Sequence, residues 1–66
     1  MRHPKQCRRI EDATRFETRE DAAGFLSEIE EAYWVQQWPD RQVVKRGTND
    51  YVIALRERGP YIEVRR

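Results

Sequence analysis

Few side chains in this sequence carry reactive chemistry, and their spacing does not gather them. His3 is the only histidine and Cys7 the only cysteine. A nucleophile and its base must be held within hydrogen-bond reach. The stretch around this pair, MRHPKQCRR, has no hydrophobic period that would hold them. A structural zinc site takes four ligands, and no second histidine or cysteine follows. Ser27, the lone serine, falls inside a helical pattern with no base near it. Glu11, Asp12, Glu28, Glu30 and Glu31 offer carboxylates, but acids on a helix are ordinarily a solvated face, and a carboxylate catalyst needs a cleft to shift its pKa. The three glycines form neither a phosphate loop nor a dinucleotide fingerprint. The expectation is a non-catalytic protein with no cofactor and no metal.

What remains is recognition chemistry, carried by arginine and tryptophan. Eleven of the thirteen bases are arginine, the cation suited to bidentate contact with carboxylate or phosphate. The net charge of +1 hides a segregation. Arg2, Lys5, Arg8 and Arg9 give residues 1–10 a charge of +4, eight acids against two bases give residues 11–33 a charge of −6, and residues 34–66 carry +3. Such asymmetry speaks to partners more than the total does.

The elements that must present these groups are few. A chain of 66 residues and 8.0 kDa is one small domain, burying only about 60% of the surface its unfolded form exposes. Charged residues reach 38%, yet seven aromatics argue against disorder throughout. Residues 1–9 read as a flexible basic arm and residues 10–66 as a single α+β domain. Within it, Ala22, Phe25, Leu26, Ile29, Ala32 and Tyr33 recur at three- and four-residue steps from Arg19 onward, the stripe of an amphipathic helix. Thr18 is its expected N-cap, with Asp21 three residues on. Trp38 precedes Pro39, so the helix must end by about Gln37.

Residues 42–46, 51–57 and 61–65 are rich in valine, isoleucine and tyrosine, and are separated by turn chemistry at 47–50 and 59–60. The predicted fold is one amphipathic helix packed on a three-stranded antiparallel meander, either alone or with residues 14–18 as a short N-terminal fourth strand (β-α-β-β-β). Those loops put Val44 opposite Ile53, Leu55 opposite Val64 and Arg56 opposite Glu63. Val44, Tyr51, Ile53, Leu55, Ile62 and Val64 then face the helix. The other sheet face holds Arg41, Val43, Lys45, Val52, Ala54, Arg56, Arg58, Tyr61, Glu63 and Arg65, a surface of charge +4.

Two surfaces are therefore candidates for docking. The first is that basic face, with Val43, Val52 and Ala54 as an apolar centre inside a charged rim. The second is Trp34, Val35 and Trp38, which the helical wheel turns away from the core stripe. Tryptophan is enriched where interfaces carry their energy, although a helix that unwinds near Tyr33 would fold this segment over the edge of the core. The leading function is a small protein-binding module, an adaptor, regulator or inhibitor of the kind phages and mobile elements encode. Its contacts would be Trp34, Trp38, Val35, Val43, Val52, Arg56, Arg58 and Tyr61, and a homodimer is a further option. The alternative is nucleic-acid binding through Arg8, Arg9, Arg41, Lys45, Arg56, Arg58 and Arg65, weakened by a single aromatic on that face. With one cysteine, no long apolar run and no signal-like apolar core, the sequence predicts a cytoplasmic protein with no membrane partner.

Overall fold

Thr18 opens the α-helix as expected: its Oγ1 accepts the backbone N–H of Asp21 at 3.0 Å. The computed structural model describes residues 3–31 and 34–65, without the side chains of His3 and Arg65. Along it run β1 (His3–Cys7), α1 (Arg19–Ile29), β2 (Gln42–Gly47), β3 (Asp50–Ala54) and β4 (Tyr61–Arg65). The strands make a four-stranded antiparallel sheet in the order β1-β4-β3-β2. The α+β architecture, a helix on an antiparallel meander with an extra N-terminal strand, is as the patterning predicts.

Helix α1 buries Ala22, Phe25 and Ile29, with Leu26 half-buried beside them. Phe25 and Ile29 join Ile53, Leu55 and Ile62 in the main core, and Phe16, Leu26, Trp34, Trp38 and Val64 pack around it. The phenyl rings of Phe16 and Phe25 lie 5.5 Å apart at a tilt. The helix is shorter than its pattern, ending at Ile29 with Glu30 as C-cap. Ala32 and Tyr33, expected on the same stripe, lie outside the described residues.

The fourth strand is not where the alternation placed it. Residues 3–7, read as part of a mobile arm, form β1 and pair along β4 from His3↔Arg65 to Cys7↔Tyr61. The segment 14–18 contributes one bridge, Phe16↔Tyr51. Its position explains why β3 and β4 share only the pair Ala54↔Tyr61. Beyond that pair the two strands separate, and residues 14–16 fill the gap. The Thr14 N–H donates to the Ile62 carbonyl at 3.1 Å and the Phe16 N–H to the Tyr51 carbonyl at 2.8 Å. The wedge satisfies backbone groups that two splayed strands would leave unpaired inside the fold.

Strand register also departs from the expectation, for two separable reasons. Near the turn, Gly47 faces Asp50, with Asn49 in the left-handed region (φ 53°) that the turn needs. This agrees with the register in which Val44 would face Ile53. Arg46 is then bulged out, and every earlier pair slips by one: Lys45↔Tyr51, Val44↔Val52, Val43↔Ile53. A slip of one residue exchanges faces, so Val43 shares the helix side with Ile53 and Val44 turns to the opposite side. Between β3 and β4 the loop is longer than Gly59-Pro60. Pairing Ala54 with Tyr61 rather than Arg58 with Tyr61 displaces the register by four. An even displacement preserves sidedness, which is why Leu55 and Val64 still face the core.

Candidate functional site

The open basic sheet face of the sequence reading does not exist. Val52 and Ala54, its intended apolar centre, are completely buried. Cys7 of β1, Ala13 and Val52 form a second small core, with Ile10, Val44 and Tyr61 packed against it. A 3-10 turn over Ile10–Asp12 carries the chain across this side of the sheet, and the Arg46 guanidinium reaches back to the Ile10 carbonyl at 3.5 Å. One sequence signal pointed this way. Val52, Ile53, Ala54 and Leu55 are four consecutive apolar residues, the mark of a strand covered on both faces rather than one.

The bases assigned to that face are dispersed. Arg56 and Arg58 lie in the loop after β3, not in a strand, so the expected Arg56–Glu63 cross-strand pair is absent from the register. Arg41 is committed locally: it donates from Nη1 to the Trp38 carbonyl at 3.0 Å and stands 3.5 Å from the Glu30 carboxylate. Lys45 is exposed on the helix side, opposite Tyr51. The Arg65 side chain lies outside the described residues. Arg8 and Arg9 are exposed just beyond β1.

Two assemblies survive at the surface. In the first, the helix has unwound and Val35–Gln37 form a 3-10 turn. Val35 is completely buried, which removes it from any contact surface. Trp34 and Trp38 are half-buried and pack on the rim of the main core. The Arg56 guanidinium lies 5.1 Å above the Trp38 ring, a cation–π contact. A half-covered indole thus carries an exposed arginine on its open face.

In the second, Arg8 and Arg58 meet at a recess of about 450 Å³, lined also by Gln6, Cys7, Gly59 and Pro60. Gly59 has φ +94°, and a Cβ on it would come within 3.0 Å of the Tyr61 ring. The loop therefore needs glycine to pass beside Tyr61 and bring Arg58 to β1. The thiol of Cys7 is buried, 3.6 Å from the Arg9 carbonyl and 3.7 Å from that of Tyr61. Burial, and then the carboxylates of Glu63 and Asp12, push its pKa up, which disfavours the thiolate form. Among the described residues no group of histidine, cysteine and carboxylate side chains could hold a metal, and no helix is long and apolar enough to cross a membrane. Compared with known proteins, the chain matches no family model, no curated protein and no solved structure.

Proposed function

We propose that this chain is a small non-catalytic protein-binding module that docks through the end of the molecule bearing Trp34, Trp38 and Arg56. The observation that carries the reading is Arg56 laid over a half-buried Trp38. Tryptophan and arginine dominate the residues that hold interfaces together, and they do so when an apolar body is already seated in the protein and its polar edge is free. Trp38 is seated on the main core. Partial burial means the ring is held in place before any partner arrives, so binding orders little that is loose.

Nucleic-acid binding receives less support than the sequence suggested. A phosphate-tracking surface requires bases in one groove or stripe, and here Arg41 and Arg56 are both engaged at Trp38, Lys45 stands opposite Tyr51, and Arg8 and Arg58 line a different recess. The unpaired thiol of Cys7 suits a reducing compartment such as the cytoplasm.

The test compares the intact protein with an Arg56→Ala form as bait, alongside binding to mixed DNA and RNA at about 50 and about 200 mM salt. A protein retained by the first bait and lost from the second, with no nucleic-acid binding, supports the module. Micromolar nucleic-acid binding with a steep salt slope, and no protein sensitive to Arg56, overturns it. Self-association through the same patch would show as a concentration-dependent mass lost on Arg56→Ala.

A further inference from the structure

We propose that the outer edge of β1, with the Arg8–Arg58 recess at its end, receives an extended peptide segment carrying a carboxylate. This rests on the protein-binding reading and adds the place and the chemistry of the partner.

The first argument is backbone geometry. Among the described residues β1 is an outermost strand, paired only with β4. The Val64 N–H donates to Thr14 Oγ1, and the Ile62 carbonyl accepts from the Thr14 N–H. Val64 and Ile62 thus turn their backbone groups away from β1. In an antiparallel ladder, a residue opposite such a position turns its own groups outward. Those residues are Pro4 and Gln6. Pro4 has no N–H to offer, so the edge is closed to full pairing at its start and open at Gln6, the residue that also lines the recess. An edge so trimmed is protected against long strand addition yet can still take a short segment at its recess end.

The second argument is charge. Arg8 and Arg58 are exposed, and neither guanidinium has an ion-pair or ring partner among the described residues. Arg9 is likewise without one but does not line the recess, whereas Arg15, Arg19, Arg41, Arg46 and Arg56 are each engaged by a carboxylate, a carbonyl or a ring. Two unengaged forks facing one recess suit a carboxylate, which accepts paired N–H donors from arginine. The remaining wall, Pro60 and the buried Cys7, is apolar and accepts a hydrocarbon stem. A peptide satisfies both halves at once, since its backbone pairs with Gln6 while its side-chain or terminal carboxylate reaches the arginines. A nucleic acid satisfies only the second half.

The experiment uses the full chain and a fluorescein-labelled short peptide of alternating valine and glutamate. Controls are the same peptide with glutamine for glutamate, its backbone N-methylated form, and an oligothymidylate. The acidic peptide is expected to bind about tenfold or more tighter than the glutamine form, and an Arg8→Gln/Arg58→Gln double variant to lose a similar factor. N-methylation should abolish binding, and the Gln6 amide resonance should move when the unmodified peptide is added. Both arginines are exposed, so the variant's unfolding midpoint should stay where it was. Unchanged affinity in the double variant overturns the proposal, as does an unmoved Gln6 amide or an oligothymidylate that binds tighter than the peptide. Arg56→Ala should leave peptide binding intact. Failure at β1 is therefore distinguishable from failure of the tryptophan surface, which the bait comparison reads separately.

Discussion

The Thr14 hydroxyl accepts the backbone N–H of Val64 at 2.7 Å, across fifty residues of sequence. With the Thr14 N–H on the Ile62 carbonyl, this one residue replaces a stretch of β3 along β4. Thr14→Ala keeps the second bond and removes the first, leaving the Val64 N–H unpaired in a partly buried place. Unfolding in urea should show a loss of about 1–3 kcal/mol. Thr14→Ser, which restores the hydroxyl, should recover most of it, and equal losses for the two would reject the wedge.

Strand β1 makes a sharper prediction, because a mobile arm and a paired strand respond differently to removal. Deleting residues 1–7 takes away Cys7 from the second core and uncovers β4. Stability should fall by at least about 2 kcal/mol, the scale of one buried apolar side chain. An unchanged denaturation midpoint would show that the segment contributes nothing to the fold.

Gly59 sits at φ +94° with the Tyr61 ring beside it. Gly59→Ala meets both a disfavoured backbone region and a contact that must give way. The backbone part alone costs about 1–2 kcal/mol. Thermal unfolding measures it, and the same substitution at Gly24, where a Cβ would meet nothing, should instead stabilise by roughly 1 kcal/mol.

Cys7 predicts a pH dependence of definite sign. Burial, with Glu63 and Asp12 adding to it, raises the thiol pKa in the folded state. The folded chain therefore holds the thiol proton more tightly than the unfolded chain. Stability from this group is fully present below the ordinary thiol value, about 8.5, and declines as pH rises from there through the higher folded value. Denaturant midpoints between neutral and alkaline pH should fall more in the natural protein than in Cys7→Ala. Alkylation of Cys7 at neutral pH should be slow until denaturant is added.

Arg56→Ala removes a cation from the Trp38 ring without opening the core. The stability change should stay within about 1 kcal/mol. Tryptophan emission should shift to the red and become easier to quench as the ring gains water. An emission spectrum identical to that of the unsubstituted protein would place Arg56 elsewhere.

Some of this architecture was written in neighbouring residues and some was not. The helix stripe through Ala22, Phe25 and Ile29, the Thr18 cap and the Asn49 turn were legible because each depends on residues a few positions apart. The core side of β3 and β4 survived a four-residue error in loop length because side chains alternate with period two. The site was far less legible. The bulge at Arg46 moved Val43 and Val44 to opposite faces, and nothing within β2 announces it; its guanidinium is held by Ile10, thirty-six positions away. β1, HPKQC, has no alternation of its own and is a strand because β4 offers it a ladder. Sequence alone thus determined helix α1 and strands β2, β3 and β4, and singled out arginine and tryptophan as the candidates for recognition. Tertiary structure decided which of those side chains reach water, since that depends on long-range pairing: the turn at Ile10–Asp12 closed one side of the sheet, and β1 carried Arg8 to Arg58.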